Sequence, residues 1–186
     1  MTTLEVPSIA TERMELRSMS ISFMRALVRR DLATAEGEIG AVLSSDFPDH
    51  LDHFLEYRLG QLEDDPSIRL WLGRVMVLRQ SGPWRAIGSI GFHGPPDVDS
   101  RIEIGYRVDP AYRRRGFASE AVAAMFDWAR LEHGIHRFRA SIAPDNAASQ
   151  AVVAHFGFRQ TGVQWDDLDG EELVFELDDP EVGPPG

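Results

Sequence analysis

Cysteine and lysine are both absent from this chain of 186 residues. Without cysteine there is no disulfide, no thiolate metal ligand and no cysteine acyl-enzyme. Without lysine, all 19 basic residues are arginines, so the chain has no side-chain amine of its own to be acylated. Long apolar runs are missing too: no stretch reaches the ~18 residues of a membrane span, and the first residues lack the basic and apolar regions of a signal peptide. These absences predict a cytoplasmic protein.

Acidic residues outnumber basic ones by 30 to 19, which gives a formal net charge of −11. The field of such a protein repels phosphate, so neither nucleic acid nor an anionic membrane is an expected partner. Hydrophobic residues make up 43% and charged residues 26% of the chain, an ordinary composition for a globular protein with a core. We therefore expect one domain over residues 1–179, followed by a flexible tail at 180–186.

Hydrophobic periodicity predicts an alternation of helices and strands. Strands are expected at 13–19, 70–80, 85–94, 101–110 and 136–143, with a final hairpin formed by 158–165 and 171–177. Helical spacing covers 20–43, 48–64, 116–134 and 145–157. The order predicts an α/β (α+β) fold with a central mixed, mostly antiparallel sheet and helices on both of its faces.

The segment "DPAYRRRGFASEA" (109–121) concentrates positive charge in an acidic protein. Arg113, Arg114 and Arg115 stand directly before Gly116, where a long helix is predicted to begin. A helix N-terminus offers unpaired N–H groups and a partial positive charge, and arginine adds charge-assisted hydrogen bonds to phosphate oxygens. An anion site is one interpretation; a solvated turn shaped by Gly116 is the other. Neither GxxxxGK[ST] nor GxGxxG is present, so an ATP P-loop and a Rossmann turn are not expected.

Two segments together resemble the GNAT N-acetyltransferases. "RRRGFA" is similar to the R/Q-x-x-G-x-G/A acetyl-CoA loop of that family, and "NAASQAVVAHFGF" is similar to the N-x-x-S…G-F segment of its RimJ/RimL-like branch. "TERMELRSM" also resembles the first strand of the branch. The resemblance covers residues 10 to 177 and implies the GNAT acyl-CoA N-acyltransferase fold, with acetyl-CoA as the acyl donor.

The same resemblance implies which residues bind acetyl-CoA. Backbone N–H groups of residues 114–119 would hold the diphosphate, and the edge of the strand at 106–108 would pair with the pantetheine arm. The implied cofactor-binding residues are Tyr106, Arg107, Val108, Arg113, Arg114, Arg115, Gly116, Phe117, Ala118, Ser119 and Asn146.

The absence of cysteine favours direct attack of the amine on the thioester in a ternary complex. In this family a glutamate in the central strand often acts as general base through water, and Glu103 of "RIEIGY" occupies that place. The alternative is a plain surface glutamate on an alternating strand, in which case His93 or His155 would have to substitute for it. A backbone N–H of Val108 is the expected oxyanion donor.

Ser149 stands at the serine of N-x-x-S, which is thought to protonate the leaving thiolate in RimL-like enzymes. Many GNAT members use a tyrosine later on this helix, but Val153 takes that position here, which leaves Ser149 or water as the acid. The alternative is that Asn146 and Ser149 only complete a helix N-terminus.

"DHLDHFLE" (49–56) places His50 and His53 beside two carboxylates, but a solvated acidic helix face is favoured over a metal site, and no metal is predicted. In GNAT folds this helix borders the acceptor cleft. Its acidic residues could attract a cationic amine or simply keep the protein soluble, and the same holds for a second acidic group, Asp166, Asp167, Asp169, Glu171 and Glu172.

The sequence thus predicts an N-acetyltransferase that acts on a primary amine, which by resemblance to the branch is a protein N-terminal α-amine. Three alternatives stay open: a small-molecule amine as acceptor, a longer acyl-CoA as donor, and a GNAT-fold protein that binds or senses acyl-CoA without catalysis. A monomer and a homodimer are both compatible with the sequence.

Overall fold

The computed structural model of the chain describes residues 6–167 and 170–178. Within them lie eight strands and five α-helices. In chain order these are β1 (Ile9–Ala10), β2 (Met14–Ser18), α1 (Ile21–Val28), α2 (Leu32–Ile39), α3 (Asp52–Asp64), β3 (Arg74–Leu78), β4 (Arg85–Phe92), β5 (Arg101–Val108), α4 (Phe117–His133), β6 (Arg137–Ile142), α5 (Ala147–His155), β7 (Arg159–Asp166) and β8 (Gly170–Asp178). Short 3-10 helices occupy Pro48–His50, Pro66–Leu70 and Pro110–Tyr112. The tail predicted at 180–186 lies outside the described residues.

The strands form one mixed sheet in the order β1-β2-β3-β4-β5-β6-β8-β7. Every pairing with a recorded direction is antiparallel except β5 with β6, which is parallel. The predicted fold class, a mixed and mostly antiparallel sheet combined with helices, is confirmed. The chain divides into two compact units, one comprising the residues up to Gly91 together with Tyr106–Ala124, the other comprising Phe92–Gly105 and the residues from Met125 onward.

In the first unit, β3 is buried on both of its faces. Val75 and Val77 belong to an apolar core that also contains residues of α1, α2 and α3. The alternating residues Arg74, Met76 and Leu78 are buried as well, with at most 9% of their surface exposed. Because successive side chains of a strand point to opposite faces, both faces of the sheet are covered at this strand.

The second unit is built around aromatic packing between α4, β6 and the segment after α5. The ring of Phe126 lies 4.1 Å from that of Phe138 and 5.6 Å and 5.8 Å from those of Phe156 and Phe158. The start of β5 is fixed in this unit by ion pairs, since Arg101 contacts both Glu176 (3.5 Å) and Asp178 (3.0 Å) on β8. A hydrogen bond from Arg137 and the positive charge of Arg101 lower the pKa of Asp178 below its usual value.

The helical prediction over 20–43 is wrong in one respect, because two helices occupy it. Arg30 adopts a left-handed φ of 59° between α1 and α2, and the side chain of Asp31 accepts a hydrogen bond from the N–H of Thr34 to cap α2. The strand predicted at 70–80 is also shorter, at Arg74–Leu78. A 3-10 helix ends at Leu70 just before it, started by Pro66 and capped by Asp65.

Candidate acetyl-CoA site and catalytic residues

The segment between β5 and α4 is an exposed loop with two residues in the left-handed region. Arg114 has a φ of 56° and Gly116 a φ of 80°. Glycine adopts this conformation freely, whereas for a residue with a Cβ it costs about 1–2 kcal/mol. Strain of this kind often marks a functional loop, and alternating backbone conformations make the concave anion sites known as nests. The two left-handed residues turn the backbone sharply just before α4.

Two of the three predicted arginines help to shape this loop. The Nε of Arg113 donates to the carbonyl of Val108 at 3.0 Å. The guanidinium of Arg115 lies 5.6 Å from the ring of Tyr112 and 5.2 Å from that of Phe117. All three arginines are exposed, whereas Phe117, the first residue of α4, is buried. The exposed arginines thus place positive charge near the start of α4, and the buried side chain of Phe117 anchors that start in the protein.

The start of α4 is also held by the carboxylate of Glu120, a contact that the sequence analysis did not predict. The carboxylate of Glu120, in the first helical turn, accepts hydrogen bonds from the Oγ1 of Thr11 (2.6 Å), the backbone N–H of Arg13 (2.8 Å) and the Nε of Arg13 (2.6 Å). Burial raises the pKa of Glu120, but the bonds from Thr11 and Arg13 outweigh burial, and the pKa is lowered overall. Glu120 is therefore a carboxylate with its charge compensated.

The end of β5 has a defined direction for each backbone group. The N–H of Asp109 donates to the carbonyl of Ile87 on β4 at 2.8 Å, and the carbonyl of Arg107 faces Gly88 of β4 so closely that a Cβ there would lie 2.1 Å from it. Since backbone groups alternate along an antiparallel strand, the N–H of Val108 points to the other edge of β5. The recorded pairs between β5 and β6 comprise only Arg101, Ile102 and Glu103 of β5. The N–H of Val108 therefore lies on the edge of β5 opposite β4, beyond the recorded pairs with β6.

Glu103 lies in the second unit, on β5 between two buried isoleucines. Ile102 and Ile104 are each 2% exposed, whereas 23% of the Glu103 side chain is exposed. The predicted alternation along "RIEIGY" is therefore correct. Glu103 Oε1 lies 3.7 Å from the Nδ1 of His93, and the backbone N–H of His93 donates to the carbonyl of Glu103 at 2.9 Å. The predicted base and one of its predicted substitutes are neighbours.

Asn146 and Ser149 lie at the start of α5, as the sequence predicted. The side-chain oxygen of Asn146 accepts a hydrogen bond from the N–H of Ser149 at 3.1 Å, which makes Asn146 the N-cap. Ser149 is partly buried. Val153, at the position where many GNAT members have a tyrosine, is 1% exposed and belongs to the core. Asn146 therefore caps α5 through the N–H of Ser149.

The acidic segments show structural contacts in the part that is described. Asp49 forms an ion pair with Arg30, and Glu172 accepts a hydrogen bond from Gln164 at 2.9 Å. The side chains of His50 and His53, and Asp169, lie outside the described residues. Among the residues that are described, no cluster of three or more His, Asp or Glu is arranged to hold a metal ion.

Comparison with known proteins decides the family. The family described as "Acetyltransferase (GNAT) domain" matches residues 13–159. The chain belongs to the GNAT acetyltransferase family. "Uncharacterized N-acetyltransferase YjdG" of Bacillus subtilis is 26% identical over 155 residues, which cover 81% of this chain and 88% of YjdG.

Two solved GNAT structures share the fold and were determined with forms of CoA. RimJ of Mycobacterium smegmatis, in complex with a CoA disulfide, has a TM-score of 0.63 at 20% identity and covers 96% of this chain and 90% of its own. RimL, described as a ribosomal L7/L12 α-N-protein acetyltransferase in complex with CoA, has a TM-score of 0.63 at 18% identity and covers 92% and 98%. The resemblance to the GNAT family and the RimJ/RimL-like fold are confirmed. The protein is an acetyl-CoA-dependent N-acetyltransferase, with acetyl-CoA as acyl donor.

No helix in the described part of this GNAT protein is long and apolar enough to cross a bilayer.

Sequence reasoning did not predict the contact between Arg13 and Glu120 at the start of α4. Their positions are 107 residues apart, so no local pattern links them. One signal was available: a glutamate in the first turn of a helix suits the helix dipole, but it is out of place beside an anion site unless a cation neutralises it. That conflict points to a partner elsewhere in the chain.

Proposed function

We propose that this GNAT protein acetylates a protein N-terminal α-amine by direct attack on acetyl-CoA in a ternary complex. The observation that carries the proposal is the likeness, over almost the whole of both chains, to RimL, whose description names an α-N-protein acetyltransferase. The absence of cysteine supports direct transfer, because a ping-pong route through a cysteine acyl-enzyme would need a thiol.

The backbone N–H groups of residues 114–119, together with the arginines at 113–115, are proposed to bind the CoA diphosphate. The support for this is the left-handed backbone at Arg114 and Gly116, the start of α4, and the exposed arginines around it. A helix of 17 residues presents its N-terminal N–H groups and the positive end of its dipole at Phe117. The strand edge at Tyr106, Arg107 and Val108 is proposed to pair with the pantetheine arm. Asn146 completes the proposed binding residues.

In the reaction, the amine nitrogen forms a bond to the thioester carbonyl carbon while the carbon–sulfur bond breaks. Glu103 is proposed to accept, through water, the proton that the ammonium group must lose. The N–H of Val108 is proposed to stabilise the developing negative charge on the carbonyl oxygen. Ser149 is proposed to give a proton to the departing thiolate. As the amide forms, the nitrogen loses a second proton, which restores the hydroxyl of Ser149, while Glu103 passes the first proton to solvent. The ammonium group and the thioester thus give an amide, a neutral thiol and one released proton, so charge and protons balance.

A panel of acceptors tests the proposed substrate class. We expect release of free CoA with peptides that carry a free α-amine and no release with the same peptides after N-terminal formylation. Spermidine and L-2,4-diaminobutyrate serve as small amines. Turnover of a small amine at a kcat/KM at least about tenfold above the best peptide would contradict the protein acceptor and leave the acetyltransferase activity in place.

Replacement of Ser149 by alanine tests the proposed acid. General acid catalysis contributes about 10²–10⁴-fold to a rate, so we expect kcat to fall by a factor in this range while KM for acetyl-CoA changes by less than about twofold. Steady-state kinetics at saturating peptide measures both constants. Ser149→Thr keeps a hydroxyl group and is expected to retain part of the activity. An unchanged kcat in Ser149→Ala would assign the proton to water and leave Ser149 as a helix-end residue.

A further inference from the structure

Arg13, the residue that precedes β2, contacts the proposed diphosphate loop. Its Nε donates to Oε2 of Glu120 at 2.6 Å, and its Nη1 donates to the carbonyl of Arg115 at 3.0 Å. The same guanidinium lies 4.2 Å from the centre of the Phe117 ring. A Cβ on Gly116 would lie 3.4 Å from its Nη2. One side chain therefore contacts Arg115 and Phe117, lies beside Gly116, and bonds Glu120 in the first turn of α4.

The bond to the Arg115 carbonyl has a direct consequence for the next N–H. The carbonyl of Arg115 and the N–H of Gly116 belong to one planar, trans peptide unit, so they point in opposite directions. When Arg13 holds the carbonyl towards itself, the N–H of Gly116 is turned away from Arg13. Thus the guanidinium orients one of the backbone donors that an anion at the loop would use.

The pair with Glu120 has an electrostatic consequence. A carboxylate in the first turn of α4 would repel a diphosphate bound at the helix start. Glu120 is instead neutralised by Arg13, and the bonds from Thr11 and Arg13 keep its pKa lowered and its carboxylate in place. The guanidinium of Arg13 therefore has two effects. It removes the repulsion between Glu120 and a bound diphosphate, and it orients the N–H of Gly116.

We propose that Arg13 is a positioning residue for acetyl-CoA: anchored by Glu120, it holds the Arg115 carbonyl so that the loop presents its N–H groups to the diphosphate. This inference rests on the proposed function, in which the loop binds that diphosphate. Arg13 does not act on the transferred acetyl group, so its loss affects donor binding and leaves the chemical step intact.

The test compares two acyl donors. S-acetylpantetheine has the thioester and pantetheine arm of acetyl-CoA but lacks the diphosphate and the 3′-phosphoadenosine attached to it. For Arg13→Met we expect KM for acetyl-CoA to rise about 10- to 100-fold, the range for lost hydrogen bonds to charged groups, with kcat changed less than about threefold. KM for S-acetylpantetheine is expected to stay within about twofold of the wild-type value.

Two further variants keep the test informative. Arg13→Lys retains the charge but lacks the planar guanidinium that bonds Glu120 and the carbonyl of Arg115 at the same time. Its KM for acetyl-CoA should therefore lie between those of wild type and Arg13→Met. Arg25→Met removes an exposed arginine that pairs with Glu63 at 3.0 Å, and it should leave both donor constants unchanged.

The outcomes separate this inference from the proposed function. An unchanged KM for acetyl-CoA in both Arg13 variants would overturn the inference, as would an equal rise in KM for both donors. If the wild type itself shows no preference for acetyl-CoA over S-acetylpantetheine, the diphosphate site is wrong and the inference falls with it.

Discussion

Acetyl-CoA at about 100 times its dissociation constant is expected to raise the melting temperature of the wild-type protein by about 5–11 °C and that of Gly116→Asp by only about 1–2 °C. A ligand that binds only the folded state at this concentration stabilises it by about 2.7 kcal/mol, and each kcal/mol shifts the melting temperature of a domain of this size by about 2–4 °C. The aspartate places a negative charge at the φ of 80° where the loop turns into α4, and a loss of affinity of about 100-fold reduces the stabilisation to about 0.4 kcal/mol. Thermal denaturation with and without acetyl-CoA measures the shift.

Two control variants separate charge from backbone strain. Gly116→Asn has the shape of aspartate without its charge, and asparagine tolerates the left-handed region, so part of the shift should remain. Gly134→Asp introduces the same residue at a φ of 66° after the other end of α4, and its acetyl-CoA shift should equal that of the wild type even if the variant melts earlier. A full shift in Gly116→Asp would exclude the loop as the diphosphate site.

Much of this loop was predictable because its signals are local. "RRRGFA" combines a glycine before a predicted helix with three adjacent arginines, and the structure places Gly116 at the turn into a helix that begins at Phe117. Glycines within a strand indicate that another backbone passes close by, and "GSIGFHG" (88–94) carries this local signal as well. A Cβ at Gly88 would indeed lie 2.1 Å from a carbonyl oxygen of β5.

The parts that sequence reasoning missed depend on distant or conformational information. Arg13 and Glu120 meet only because the fold brings the residue before β2 to the start of α4. The break between α1 and α2 depends on the left-handed Arg30 and on the cap by Asp31, neither of which disturbs the apolar spacing over 20–43. Hydrophobic periodicity predicts which face is buried, but it does not fix where a helix ends.

Catalytic roles are harder to predict than the loop or the long-range contacts, because they depend on small differences in the surroundings of a side chain. Asn146 caps α5 through the N–H of Ser149 whether or not Ser149 moves a proton. Glu103 alternates with two buried isoleucines as a structural glutamate would, yet its partly exposed carboxylate lies 3.7 Å from the imidazole of His93. The two groups are neighbours, and the kinetics of their variants tests which of them is the base.

Replacement of Glu103 by glutamine is expected to lower kcat/KM for the acceptor peptide by about 10²–10⁴-fold near pH 7, the contribution of a general base. Glutamine keeps the shape and hydrogen bonding of the side chain but cannot accept the proton. The deficit should shrink as pH rises, because an α-amine with a pKa of about 8 becomes neutral without enzymatic help, and its neutral fraction grows roughly tenfold between pH 7 and pH 9. Measurement of kcat/KM from pH 7 to pH 9 gives the size of the deficit and its change with pH. The melting shift with acetyl-CoA checks that the variant still binds the acyl donor.

The neighbours of Glu103 provide the decisive controls. Glu132→Gln removes an exposed carboxylate near the end of α4 and should leave the pH profile unchanged, which shows that lost negative charge alone does not slow the reaction. His93→Gln should lower kcat/KM less than Glu103→Gln does if the carboxylate is the base, and more if the imidazole is. Should Glu103→Gln keep full activity from pH 7 to pH 9, Glu103 is a surface residue of β5, and the proton of the amine leaves by way of His93, His155 or the acidic segment at 49–56.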